Sequence, residues 1–121
     1  MNIEKNDKVG GLKISEDVIA KIATVAAKDV DGVADMAPAT LSIKSAMSGD
    51  KLLGGVKVSY APDKSIIVDV YIRLKADAKL RDVVADVQQN VRYAIMNMTN
   101  RPVAKVNVTV ADIEISLSAN R

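Results

Sequence analysis

The sequence predicts an α+β domain, a two-layer sandwich with two amphipathic helices on one face of a small three- to four-stranded sheet. Two segments, near residues 15–31 and 79–98, repeat apolar residues at helical spacing. Residues 56–60 and 66–75 instead alternate apolar and polar side chains, as strands with one buried face do. The chain has 121 residues, 49% of them apolar, which suits one core and is too short for two.

The first helix is expected to begin after Ser15, a good N-cap, with Glu16 and Asp17 in a first turn where the helix dipole favours negative charge. Gly32 is expected to end it in the left-handed conformation. Residues 1–13 are polar and are expected to form a flexible arm before the helix. The apolar arc of the helix holds Val18, Ile19, Ile22, Ala23, Val25, Ala26 and Val30.

A hairpin gives the clearest strand signal in the chain. A short strand at 33–36 is expected before it, and the stretch 38–55 fits a short helix and an ordered loop equally well. Residues 61–64, Ala-Pro-Asp-Lys, have turn chemistry and join the strands at 56–60 and 66–75. The apolar side of the second hairpin strand holds Ile66, Val68, Val70, Ile72 and Leu74.

The second helix is expected to span residues 79–98 and to end before Pro102, because the residue before a proline avoids the helical conformation. A last strand follows at 106–110, and its apolar alternation changes phase near Ala111-Asp112. That change requires either a bulge or a segment that leaves the sheet to pair elsewhere. The predicted core stripe of the helix holds Leu80, Val84, Val87, Val91, Ala94, Ile95 and Met98, with Val83 at its margin.

The composition argues against catalysis. The chain has no Cys, His, Trp or Phe and only three Tyr, so the side chains that most often bind soft metals, shuttle protons near neutral pH or stack on bases are missing or few. No phosphate-binding glycine motif and no calcium-loop pattern is present. We therefore expect no enzyme activity, no cofactor, no metal and no small-molecule substrate. With 17 basic and 15 acidic side chains, the charge does not favour nucleic acid. The alternative function is that of a KH-like nucleic-acid-binding module, although this chain lacks the G-x-x-G loop with which KH domains clamp the nucleic-acid backbone.

Three features point to contacts between proteins. The outer face of the strand at 66–75 mixes apolar and charged side chains, as interfaces do, and an ordinary exposed face fits it equally well. Two side chains of the second helix lie outside its core stripe and could contact a partner protein. The alternative is that they pack against neighbouring loops of the same domain. The phase-shifted C-terminal segment suits pairing with a sheet edge of another subunit, or folding back over its own domain. The candidate partner-binding residues are Ile67, Asp69, Tyr71 and Arg73 of the strand, Tyr93 and Met96 of the helix, and Ile113, Ile115 and Leu117 of the C-terminal segment.

Three segments carry a family resemblance: ISEDVIAKIATVAAKDVDGV, GGVKVSYAPDKSIIVDVYIRLK and VVADVQQNVRYAIMNMTNRPVAKVNVTVADIEI. Together they resemble the bacterial alkaline shock protein family, whose members are also called envelope stress response proteins. The resemblance covers roughly residues 14–115 and rests on features spread along the chain, with no catalytic signature among them. We therefore expect one family domain at 14–117 and a frayed tail at 118–121.

The resemblance implies a non-enzymatic bacterial stress-response protein that acts through self-association, as a homo-oligomer, or by docking to a small membrane-anchored partner protein. The first residues of the chain are too polar for a signal peptide, and no apolar run is long enough for a membrane span. We therefore expect a cytoplasmic protein that lies close to a membrane only through its partner.

Overall fold

The structure, a computed structural model, describes residues 13–37 and 54–115. The expectations for the arm at 1–12, the stretch at 38–53, Leu117 and the tail lie outside these residues. Within them the order of elements is α1 (Glu16–Lys28), β1 (Val33–Met36), β2 (Val56–Tyr60), β3 (Ile66–Leu74), α2 (Leu80–Thr99) and β4 (Val103–Ile113). Both helices pack on one face of the sheet around a single core, which confirms the predicted two-layer α+β class.

The sheet is mixed, with β3 at its centre. β4 pairs with one edge of β3 in parallel, and α2 supplies the crossover that a parallel pair requires. β1 and β2 both run antiparallel to β3 and lie end to end along its other edge. They meet beside Tyr71, whose carbonyl accepts from Ala37 N–H (2.8 Å) and whose N–H donates to the Gly55 carbonyl (2.9 Å). The two strands thus act as one interrupted edge strand.

The alternation predicted for β3 is confirmed. The burial of its nine residues alternates without interruption, and the five apolar side chains on its inner face, Ile66, Val68, Val70, Ile72 and Leu74, are all buried. β4 is longer than predicted, because it begins at Val103 and continues through the phase change to Ile113. The register shifts between Val110 and Asp112, so the phase change is a bulge within one strand.

The first helix is shorter than predicted. It ends at Lys28, with Asp29 as its C-cap in right-handed helical conformation, and Gly32 lies in the turn that leads to β1. Gly32 still has a positive φ of 99°, and a Cβ atom there would lie 2.4 Å from Cγ2 of Val83 on α2. Glycine is therefore needed at position 32 for this turn to approach α2. The prediction was wrong in making Gly32 the end of α1, because α1 ends about one helical turn before it.

The core stripe predicted for α2 is partly wrong. The side chains that are buried advance by four residues at each step: Val83, Val87, Val91, Ile95 and Thr99. Four residues turn an α-helix by about 400°, so this stripe drifts around the helix by about 40° per step. The drift leaves Leu80 and Met98, at the two ends of the helix, exposed to solvent.

Candidate protein-interaction surfaces

The outer sheet face carries the four strand residues that the sequence predicts for a partner. Ile67, Asp69, Tyr71 and Arg73 alternate with the buried residues of β3, and all four are half-buried. Asp69 Oδ1 accepts from Asn107 Nδ2 at 3.0 Å, and Arg73 Nε lies 3.1 Å from Asp112 Oδ2. These pairs join β3 to β4 across the face, so its polar groups are engaged within the domain.

The two candidate residues of α2 are not part of the sheet face, because α2 lies in the other layer. Tyr93 and Met96 are both exposed, and neither belongs to the buried stripe of the helix. Tyr93 lines a depression between the two helices, whereas Met96 does not. The structure therefore divides the predicted residues among three separate surfaces.

The third surface is the C-terminal end of β4. Ile113 and Ile115 of this segment are 49% and 75% exposed. The part of β4 that lies near α2 is covered at its edge, because Arg92 Nη1 donates to the Val103 carbonyl (2.7 Å) and Gln88 Nε2 donates to the Val106 carbonyl (3.2 Å). No strand or helix side chain covers the edge in this way beyond Val106 in the described part of the chain.

The sequence analysis missed a valley between α1 and α2 on the solvent side of the helical layer. At one end it is apolar and has a volume of about 530 Å³, and at the other it continues into an acidic section of about 750 Å³. Asp29 and Asn90 line both sections, so the valley is continuous. The apolar end is lined by Val18, Ile22, Val25, Ala26, Ala94 and Met98, with Lys21 beside them.

The helical pattern could not reveal this valley. Val18, Val25 and Met98 share an arc or stripe with residues that are buried, yet Val25 is 62% and Met98 71% exposed. The sheet and α2 together cover only part of the apolar arc of α1. No third helix lies over the remainder among the described residues. The only sequence signal was the unusual width of that arc.

Neither a metal site nor a membrane span emerges from the described residues. No group of three or more acidic side chains in residues 13–37 and 54–115 converges as a metal ion would need. In the same ranges, neither helix combines the length and the apolar character that crossing a bilayer requires.

Comparison with known proteins gives a consistent family and fold. The model of the alkaline shock protein 23 family, described as having a cell envelope-related function, matches residues 4–115. YqhY of Bacillus subtilis (strain 168) is 33% identical over 115 residues, which are 92% of this chain and 82% of the relative. YloU of the same organism is 30% identical over 120 residues, 96% of this chain and 98% of the relative. Two solved structures, single-substitution variants of the MamM CTD, have TM-scores of 0.51 at 15% and 14% identity, and each comparison covers 83% of this chain and 100% of the other.

Proposed function

Since this chain belongs to the alkaline shock protein 23 family, with its cell envelope-related function, we propose that it is a non-enzymatic protein of the envelope stress response. It acts by binding proteins: a second copy of itself, and a partner that holds it near the membrane. The lack of Cys and His, two of the side chains that enzymes use most often as nucleophile and general base, supports the non-enzymatic part. In the described residues, moreover, every buried side-chain polar atom already has a hydrogen-bond partner.

One observation carries the self-association: β4 ends in exposed apolar side chains beside an edge that nothing in residues 13–37 and 54–115 covers. Glu114 N–H points toward β3 and donates to the Leu74 carbonyl, whereas the Val106 carbonyl points away from β3 and accepts from Gln88 Nε2 of α2. In the register of β3 and β4, the backbone groups of Val108 and Val110 therefore point away from β3. Unpaired edge groups of this kind are a template for another strand.

A second β4 fits this edge best. Antiparallel pairing about a two-fold axis would satisfy the same outward backbone N–H and C=O groups of β4 on both copies. It would also place Ile113 and Ile115 of each copy against β4 of the other copy. Burying the exposed parts of these four side chains contributes roughly 4–7 kcal/mol, which is within the range of association costs. Backbone hydrogen bonds must supply the surplus, so we expect a dissociable dimer with an affinity on the order of micromolar.

Sedimentation velocity over a range of concentrations tests this dimer. The wild type should sediment as a dimer at concentrations above the order of micromolar, and the variant Ile113→Lys/Ile115→Lys should stay monomeric. Val25→Lys is the matched control, since Val25 is 62% exposed, between the 49% and 75% of the two isoleucines, and lies on α1. A monomeric wild type, or a dimer that survives the two lysines, would show that the β4 edge does not associate.

The cytoplasmic location next to a membrane is the second part of the proposal. It predicts that the protein in gently lysed cells co-sediments with membranes and is released by removal of a protein partner rather than by salt alone. The alternative, a KH-like nucleic-acid-binding module, predicts salt-sensitive gel shifts with single-stranded RNA or DNA. Lack of a shift at low salt, together with co-sedimentation, would favour the protein-binding function.

A further inference from the structure

We propose that the valley between α1 and α2 binds a peptide segment of a partner protein in which apolar side chains are followed by lysines or arginines. This inference rests on the proposed protein-binding function and assigns the partner to a surface other than the β4 edge. It names the chemistry of the partner segment, which the family description leaves open.

The apolar end of the valley is a ready groove. The two helices are antiparallel here: Asn90 Nδ2 donates to the Ala26 carbonyl at 2.8 Å, and Val18, near the start of α1, lines the groove with Met98, near the end of α2. Ala26 and the half-buried Ala94 are short, so the space above them is open, between the exposed Val25 and Met98. Its volume, about 530 Å³, lies in the range of sites that hold several apolar groups.

The other end of the valley attracts positive charge. Asp29, Asp31 and Asp86 line it together with the exposed Tyr93, and they outnumber the one basic side chain of the lining, Arg92, whose Nη1 donates to the Val103 carbonyl. None of the three carboxylates has an ion-pair partner or a side-chain hydrogen bond within the described ranges. They do not converge as a metal site would, so the matching ligand carries its positive charges spread along a chain. Tyr93 adds an aromatic face on which a lysine or arginine stacks.

The segments of this chain outside the described residues match the valley less well than a basic partner does. Three carboxylates line the acidic end and favour a positively charged occupant, whereas the side chains of residues 1–12 carry no net charge. Residues 38–53 and 116–121 each carry one net positive charge. The distance from Val18 to Asp29 along α1 is about 16 Å, which corresponds to about three turns of a docked helix. The occupant is therefore a short amphipathic segment with two or more basic residues at one end.

Selection from a random peptide library of about three helical turns, displayed on phage, tests the specificity. Peptides are retained on the wild-type protein after depletion on Ala94→Gln, a variant that fills the groove floor with a good helix former. We expect enriched peptides to have an apolar run next to lysines or arginines. No enrichment over the filled variant, or enrichment of peptides without basic residues, would overturn the proposal.

The affinity of an enriched synthetic peptide then separates the two ends of the valley. Ala94→Gln should weaken it at least about tenfold, and Asp31→Asn/Asp86→Asn about three- to tenfold, with a smaller dependence on salt. Asp69→Asn removes one negative charge from the face of the sheet that points away from the helices, and it should leave the affinity unchanged. Because Ile113→Lys/Ile115→Lys should also bind this peptide normally, failure of the dimer and failure of the valley are distinguishable.

The methionine methyl groups report where the peptide lies. Met98 lines the valley, and Met96 lies about 200° away around α2. Peptide should shift the Met98 methyl resonance and leave that of Met96 in place. A Met98 methyl that already contacts residues 1–12, 38–53, 116–121 or a second copy in the free protein would show that the valley is covered, and would overturn the proposal.

Discussion

The turn between α1 and β1 makes a steric prediction that the structure quantifies. Replacing Gly32 with alanine has two costs. The positive φ of 99° is strained for any L-residue, by about 1–3 kcal/mol. The new Cβ would also overlap Cγ2 of Val83 at 2.4 Å and press on Ala78 Cβ at 3.3 Å, and overpacking of this kind costs about 1–3 kcal/mol more. We expect a total loss of about 2–6 kcal/mol, a large fraction of the stability of a domain this size.

Urea unfolding followed by far-ultraviolet circular dichroism measures this loss, since the chain has no Trp to report by fluorescence. With a slope of about 2 kcal/mol per M, the midpoint of Gly32→Ala should fall by about 1–3 M. Gly54→Ala is the matched control. Gly54 also has a positive φ, 64°, but a Cβ there would meet no atom of the described residues within 4 Å. Its substitution should therefore cost only the backbone strain, about 1–2 kcal/mol.

A double variant separates strain from overlap. Val83→Ala removes the methyl group that the new Cβ meets, so Gly32→Ala should cost less in that background by about 1–3 kcal/mol. If Gly32→Ala costs no more than Gly54→Ala, or if the two changes at 32 and 83 are additive, then the turn does not pack against α2 as described.

Three further changes test the turns and the core. Lys64 has a positive φ of 72°, so Lys64→Gly should raise the free energy of unfolding by about 0.5–1 kcal/mol in the same urea assay. The Ser65 hydroxyl and, to a smaller extent, the Ser65 N–H donate to Asp63 and lower the pKa of its carboxyl in the folded protein. The ionised carboxylate therefore stabilises the fold at pH values above the ordinary carboxyl pKa, and this stabilisation is lost as the pH falls through the lowered pKa of the folded state. Asp63→Asn should therefore be less stable than wild type near neutral pH, and a stability difference that persists at a pH well below the ordinary value would contradict this. Ile95→Ala should cost about 2–5 kcal/mol because Ile95 is fully buried, whereas its exposed neighbour Met96 should tolerate alanine within about 0.5 kcal/mol.

Local patterns predicted the elements well, because their causes are local. The alternation in β3 and the change of phase near Ala111-Asp112 follow from the two-residue period of a strand, and both appear in the structure at those residues. The pairing partners are set by contacts distant in sequence. Nothing local to β4 says that it runs parallel to β3, or that β1 and β2 meet end to end beside Tyr71.

The candidate surfaces were predictable to different degrees. Alternation identified the outer face of β3 and the exposed Ile113, but it could not show that Asp69 and Arg73 are paired with Asn107 and Asp112 of another strand. The valley was beyond sequence reasoning, because an apolar residue on a helix has the same pattern whether a neighbour covers it or not. Val25 is exposed only because the helical layer holds two helices in the described residues.

The β4 edge and the valley lie on different sides of α2, and their combination makes a last prediction. Gln88 reaches from α2 toward the Val106 carbonyl of β4, whereas Asn90 donates to Ala26 of α1 and Ala94 lines the groove beside α1. A dimer through β4 would therefore leave both valleys open, and two linked sites bind a surface that displays many copies of a peptide about 10²–10⁴ times more tightly than one site does. We expect Ile113→Lys/Ile115→Lys to dissociate much faster than wild type from vesicles densely coated with an enriched peptide, while its affinity for the free peptide is unchanged. Equal dissociation rates would mean that the two surfaces do not operate together, even if each binds its own partner.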